Sequence, residues 1–188
     1  MLEDLSAHIL DIAENSVMAG GTEIKISIEE DLEGNKLLFY VEDNGRGMSE
    51  DFVLKAADPF TTTRTTRRVG MGLPFLKQSA ELCGGGLGIE SKRGAGTKIT
   101  VVFGYDSIDR PPLGDIPATL MTLLVGSPEI HWIYTHKTPR GEFVLDSEEI
   151  IAALDGDRDL LRTPEVGLWL RGYVRDGLCG IKLNKRAR

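Results

Sequence analysis

Cysteine is scarce in this chain: Cys83 and Cys179 are the only two among 188 residues. They form no CxxC pair and imply no disulfide framework, which excludes a cystine-stapled scaffold and fits a reducing, cytoplasmic setting. Long apolar runs are missing too. None approaches the ~18 residues that a membrane span needs, and the N-terminus shows no secretory signal pattern, so neither membrane insertion nor export is expected. Positive charge is in deficit: 22 Lys and Arg stand against 29 Asp and Glu, for a net charge of −7. That balance argues against general nucleic-acid binding. The basic residues within 182–188 read as a solvated terminus. What remains, 41% hydrophobic and 27% charged, suits a soluble globular protein of one or two domains.

The stretch LFYVEDNGRGM, residues 38–48, organises the rest. Its apolar start reads as a strand that delivers one carboxylate, Asp43, into a turn kept free of side chains by Gly45 and Gly47. Glycine accepts positive φ and lets a ligand approach the backbone closely. Asp43 is thus a fixed acceptor beside an opening where a flat heterocycle could dock. Taken alone, D-N-G is equally hairpin-turn chemistry, and only the surrounding motifs decide between the two.

Residues 2–18 predict an amphipathic helix, with Leu2, Leu5, Ile9 and Ile12 on its core face. His8, Asp11 and Asn15 form a separate stripe about 120° round from that face, with His8 expected on the helix surface or partly packed. Gly20-Gly21 ends the helix. Ile24, Ile26 and Ile28 then alternate with Lys25, Ser27 and Glu29 as a strand with one buried face. A turn at 33–35 leads to the second strand, and Ser49 caps a short helix to about Ala57. Residues 58–70, DPFTTTRTTRRVG, lack any apolar period and read as a long polar loop, the kind that serves as a lid. A helix over 73–83 follows, with Leu73, Leu76, Ala80 and either Leu82 or Cys83 inward. Its glycine-rich start offers free N–H groups to an anion. Strands at 87–91 and 97–103 are joined by Arg93-Gly94-Ala95-Gly96.

Pro111, Pro112, Gly114 and Pro117 mark a boundary over 105–117. Beyond it come a short apolar helix at 118–125, strands at 129–136 and 141–145, and a helix capped by Asp146-Ser147. A final helix opens at Thr163-Pro164-Glu165 with Val166, Trp169, Leu170 and Tyr173 as its apolar face. This extension can form its own core or pack on the first unit. His131 and His136 have no cysteines nearby, so zinc is not expected there.

Together these motifs resemble the GHKL superfamily of ATP-binding domains, which includes gyrase, heat-shock chaperone, histidine kinase and mismatch-repair ATPases. The resemblance covers about residues 2–104. Asp11-Ile-Ala-Glu-Asn15-Ser-Val-Met-Ala-Gly-Gly-Thr looks like the N box, and Asp43-Asn-Gly-Arg-Gly47-Met48 like the G1 box. Pro59-Phe60 and the threonines after it resemble the F box and lid of histidine kinases. Gly70-Met71-Gly72-Leu73-Pro resembles a G2 box, and Gly94-Ala-Gly96-Thr97 the closing G-T motif. The resemblance implies an α/β two-layer sandwich, a mixed and mostly antiparallel sheet with helices on one face. It divides the chain into an ATP-binding domain at 1–104, a linker at 105–117 and a small α+β extension at 118–188. It also implies ATP and Mg²⁺ as cofactors: Asn15 as the metal ligand, Asp43 accepting the adenine amino group, and Thr97 assisting through water. Gly45, Gly47 and Met48 would line the base. Thr63, Arg64, Gly70, Met71, Gly72 and Leu73 would surround the phosphates, with Arg67 or Arg68 adding charge.

Two departures bear on activity. Family members that hydrolyse ATP usually place Glu four residues before the Mg²⁺-binding Asn; here it is Asp11, on the same helix face but one methylene shorter. Arg68 stands where kinases often have the first G2 glycine, and Pro74 replaces a small residue. No phosphoacceptor hairpin precedes the N box, and His8 lacks the acidic neighbour such a residue would have, so a complete sensor kinase is not expected. The expected activity is transfer or hydrolysis of the γ-phosphate, as an ATPase or a protein kinase acting in trans. A nucleotide-gated regulatory module without turnover is the alternative. Either way a protein partner or substrate is expected, and a homodimer stays open.

Overall fold

The computed structural model describes residues 4–56 and 72–182. In chain order its elements are α1 (Leu5–Met18), β1 (Glu23–Asp31), β2 (Lys36–Asp43), α2 (Glu50–Ala56), α3 (Gly72–Leu82), β3 (Gly86–Lys92) and β4 (Gly96–Gly104). They continue with α4 (Ile116–Gly126), β5 (His131–Thr138), β6 (Gly141–Asp146), α5 (Ser147–Ala153), a 3-10 turn (Arg158–Arg162) and α6 (Pro164–Ile181). The strands form one six-stranded sheet in the order β3-β4-β2-β1-β5-β6. Every pairing is antiparallel except β1 with β5, so the sheet is mixed and mostly antiparallel.

Strand alternation decides which face is covered. Cross-strand partners share a face, and the registers line up rows of side chains across the sheet. One row runs Leu145–Tyr134–Ile26–Val41–Ile99–Ile89, and the next runs Phe143–His136–Ile28–Phe39–Val101–Leu87. Ile26, Ile28, Phe39 and Val101 in these rows are all but fully buried. A third row runs Trp132–Ile24–Asp43–Thr97–Ser91, apolar at one end and polar at the other. That change of chemistry along one row is where the functional cavity begins. The opposite face carries Lys25, Ser27, Tyr40, Lys98 and Thr100, none of them buried.

Helix α1 begins at Asp4, whose side chain accepts from the Ala7 N–H at 2.9 Å. The chain after β4 crosses this first turn: Leu5 N–H donates to Pro112 O and Ser6 N–H to Leu113 O, both at 2.9 Å. Two otherwise unpaired helix-start donors are thereby satisfied by backbone. Thr119 Oγ1 on α4 donates to Ser6 O at 3.3 Å. His8, expected at the helix surface or partly packed, is instead buried at 7% exposure. Burial, opposed by the nearby charges of Asp11 and Asp4, holds its imidazole below the usual histidine range.

The segment after residue 117 packs on the first unit. Strand β5 lies parallel to β1, from Glu23↔His131 to Glu29↔Lys137, and α4 packs against α1 and α6. Its core residues Leu120, Leu124, Trp132, Leu170 and Val174 belong to one continuous cluster with Ile9, Ile24 and Phe39. On α6 the expected apolar face is rotated. Leu170 and Val174 are buried, whereas Trp169 and Tyr173 are 53% and 43% exposed and stack on each other with centroids 5.3 Å apart. Gly177 explains the offset, because a Cβ there would collide with the Phe143 ring; the helix approaches β6 through its glycine. At the end of α3, Leu82 is exposed, and Cys83 just after it is buried.

Candidate functional site

Asp43 ends β2 at the polar end of the third row and is 7% exposed. A buried carboxylate needs hydrogen-bond partners, and two neighbours supply them. Ser16 Oγ on α1 donates to Oδ2 at 2.7 Å, and the Gly45 N–H donates to Oδ1 at 2.9 Å. The loop that follows is tied down from both sides. Asn44 Oδ1 accepts from the N–H groups of Thr22 and Glu23 at 2.8 and 3.1 Å, and Arg46 N–H donates to Ala19 O at 3.0 Å. Gly47 has φ +60, and a Cβ there would run into Lys92 O, so only glycine lets this loop lie against the β3–β4 turn.

Asp43 opens on a cavity of about 780 Å³, large enough for a nucleotide-sized ligand. Its floor and walls include Asp11, Asn15, Ser16, Gly47, Met48, Leu73, Thr97 and Ile99, with Met18 and Phe52 giving apolar area and Arg46 and Arg93 at the rim. Of the residues singled out by sequence, Asp11, Asn15, Asp43, Gly47, Met48, Leu73 and Thr97 are brought to this one cavity. Gly45 and Gly72 stand behind its surface. Gly45 supports Asp43 through its N–H, and Gly72 lets the start of α3 approach Asp11, since a Cβ there would lie 2.8 Å from Asp11 Oδ2. Thr63, Arg64, Gly70 and Met71, like Arg67 and Arg68, lie outside the described residues.

Sequence reasoning passed over four contributors. Ser16, directly after Asn15, anchors Asp43. Met18 and Phe52 are exposed by 66% and 43%, and both line the cavity. Ser91 lies beside Thr97 at 2.8 Å and accepts from the Met48 N–H at 2.8 Å. Ser16 was legible from its neighbourhood in the N box; Ser91 had no local signal, because its partners come from other strands.

The cavity offers few ligands for a divalent cation. Asn15 Nδ2 donates to Asp11 O at 2.8 Å, which assigns the nitrogen and leaves the side-chain oxygen Oδ1 for another partner. No group of three His, Cys, Asp or Glu that could hold a metal occurs among the described residues. One amide oxygen beside one carboxylate is too little for a closed metal cage. It fits Mg²⁺, which keeps waters and takes its remaining oxygens from a bound phosphate. Also among the described residues, no helix is long and apolar enough to cross a membrane.

Comparison with known proteins bears on the family and the fold. The family described as histidine kinase-, DNA gyrase B- and HSP90-like ATPase matches residues 2–107, more than half of the chain. An uncharacterized sensor-like histidine kinase of Rhizobium meliloti is 36% identical over 87 residues, covering 44% of this chain and 17% of that protein. The sensor histidine kinase YvrG of Bacillus subtilis is 31% identical over 87 residues, covering 44% of this chain and 15% of its own length. The chain thus spans less than a fifth of these relatives. Among solved structures, the N-terminal domain of a DNA repair protein superposes with a TM-score of 0.51 at 17% identity, over 84% of this chain and 58% of that one. That likeness is one of fold, and its coverage reaches beyond residue 107 into the part that carries β5.

Proposed function

Because the chain belongs to the histidine kinase-, DNA gyrase B- and HSP90-like ATPase family, we propose that it binds ATP with Mg²⁺ in the Asp43 cavity and acts on the γ-phosphate. The observation that carries this reading is Asp43 itself: a buried carboxylate, held by Ser16 and Gly45, facing an open cavity. A carboxylate so placed accepts an exocyclic amino group and rejects an acceptor. The base would lie between Met48 and Ile99, with the triphosphate running toward Asn15 and the start of α3. Asn15 Oδ1 would hold the Mg²⁺, which supplies charge neutralisation on the phosphates when bound.

Asp11 precedes Asn15 by one helical turn on the same face and lines the same cavity. In this reading it takes the proton from the attacking nucleophile, whether water or a partner's hydroxyl or imidazole. Its short side chain favours a slow hydrolase or a transferase that brings its own acceptor. A second reading rests on the same shortness: the chain is a nucleotide-gated module whose ligand orders a partner surface without turnover. Incubation with γ-labelled ATP and Mg²⁺, beside Asp11→Asn, separates the two. Phosphate release abolished by the substitution, with ATP affinity kept, establishes a hydrolase with Asp11 as base. Tight binding without release points to a protein acceptor or to the gated module.

A further inference from the structure

We propose that Ser91 is a positioning residue that fixes Thr97 as a pure hydrogen-bond acceptor, and so makes the base end of the cavity selective for 6-aminopurine over 6-oxopurine nucleotides. The proposal rests on the assignment of the base to Asp43 above. Asp43, Thr97 and Ser91 are consecutive members of one row, on β2, β4 and β3. Ser91 Oγ has three polar neighbours. The Met48 N–H donates to it at 2.8 Å, Gly96 O lies 2.9 Å away, and Thr97 Oγ1 lies 2.8 Å away.

A hydroxyl has one hydrogen and two lone pairs. Gly96 O can only accept, so all three contacts are hydrogen bonds at once only when the Ser91 hydrogen goes to it. Met48 N–H takes one lone pair of Ser91, and the remaining lone pair meets Thr97. Thr97 therefore donates its only hydrogen to Ser91 and turns lone pairs alone to the cavity. Asp43 is likewise acceptor-only, its two oxygens already receiving the Ser16 hydroxyl and the Gly45 N–H. Two adjacent acceptors favour a ligand, or a bridging water, that presents hydrogens to both. A 6-oxo group presents lone pairs to the same place, and a free threonine hydroxyl would rotate to satisfy it. Ser91 removes that freedom.

The test compares dissociation constants for ATP and inosine triphosphate, with Mg²⁺, across five proteins. The wild-type chain is expected to prefer ATP. Ser91→Ala frees Thr97, and the preference should fall about tenfold, whereas Ser91→Thr keeps a hydroxyl and should restore it. In a Thr97→Val background, Ser91→Ala should leave the preference unchanged, because no hydroxyl remains to be oriented. Equal weakening of both nucleotides by Ser91→Ala, with the preference intact, would overturn the proposal and leave Ser91 as a loop anchor only. Failure of the underlying assignment looks different: Asp43→Asn would then bind ATP as the wild-type chain does.

Discussion

Two inward-facing carboxylates, Asp43 buried and Glu30 mostly so, sit near the ends of neighbouring strands, and they do opposite things with their lone pairs. Asp43 on β2 has two partners and a cavity in front of it. Glu30 on β1 has two partners and nothing else. His136 Nε2 lies 2.9 Å from its Oε1, and Tyr105 OH donates to its Oε2 at 2.9 Å. The chain closes at Tyr134 OH, 2.9 Å from His136 Nδ1. Burial pushes the Glu30 carboxyl up, but the hydrogen bonds from His136 and Tyr105 outweigh it and leave the group below the usual carboxylate range. The same environment pushes the Tyr105 hydroxyl up to about 12, through burial first and the Glu30 bond second. A closed network of this kind fastens β5 and the turn after β4 to β1. An open one can receive a ligand. The difference lies in what faces the carboxylate, not in its burial.

Substitutions should separate the two sites cleanly. The largest effect on stability is expected at the closed one. Glu30→Ala leaves His136 and Tyr105 without their acceptor and should cost about 3 kcal/mol in urea unfolding, with nucleotide affinity in the folded protein changed less than twofold. Ser16→Ala at the open site should do the reverse: an approximately tenfold loss of ATP affinity in equilibrium titration, about 1.4 kcal/mol, with little change in unfolding midpoint. A comparable loss of stability at Ser16 would erase the distinction.

Acid should act on the two regions in separate steps. The folded His8 titrates below its ordinary 6.5, so its neutral form is favoured by folding. Its contribution is full above that value and is lost as pH falls through the folded pKa. Glu30 is also lowered, from an ordinary 4.5, so its contribution is present above that value and disappears as pH falls further. Unfolding free energy measured against pH should therefore bend first below 6.5 and again below 4.5, and Glu30→Gln should shrink the second bend while leaving the first. The smallest effect belongs to α6: Trp169→Ala, at a half-exposed stacked pair, should change stability by less than about 1 kcal/mol.

Much of the cavity was legible because its determinants are local. Asp43, Gly45 and Gly47 sit within five residues, and Asp11 and Asn15 are one helical turn apart, so spacing alone places each set. What escaped was non-local. No pattern in residues 129–136 reveals that they pair in parallel with β1, since that register follows from a partner over a hundred positions away. The first turn of α1 is tied down because the chain returns across it at Pro112 and Leu113. Trp169 and Tyr173 read as core because they are large and apolar, yet the glycine at 177 decides which side of α6 meets β6. Apolar periodicity identifies a helix; what packs against it chooses the face.

Asp43→Asn and Glu30→Gln, titrated side by side with ATP and Mg²⁺, bear on the whole interpretation at once. The open-site reading predicts that Asp43→Asn loses at least a hundredfold in affinity, about 2.7 kcal/mol, while Glu30→Gln binds as the wild-type chain does. ATP binding by Asp43→Asn at the wild-type affinity would contradict it, and would place the base elsewhere in the molecule.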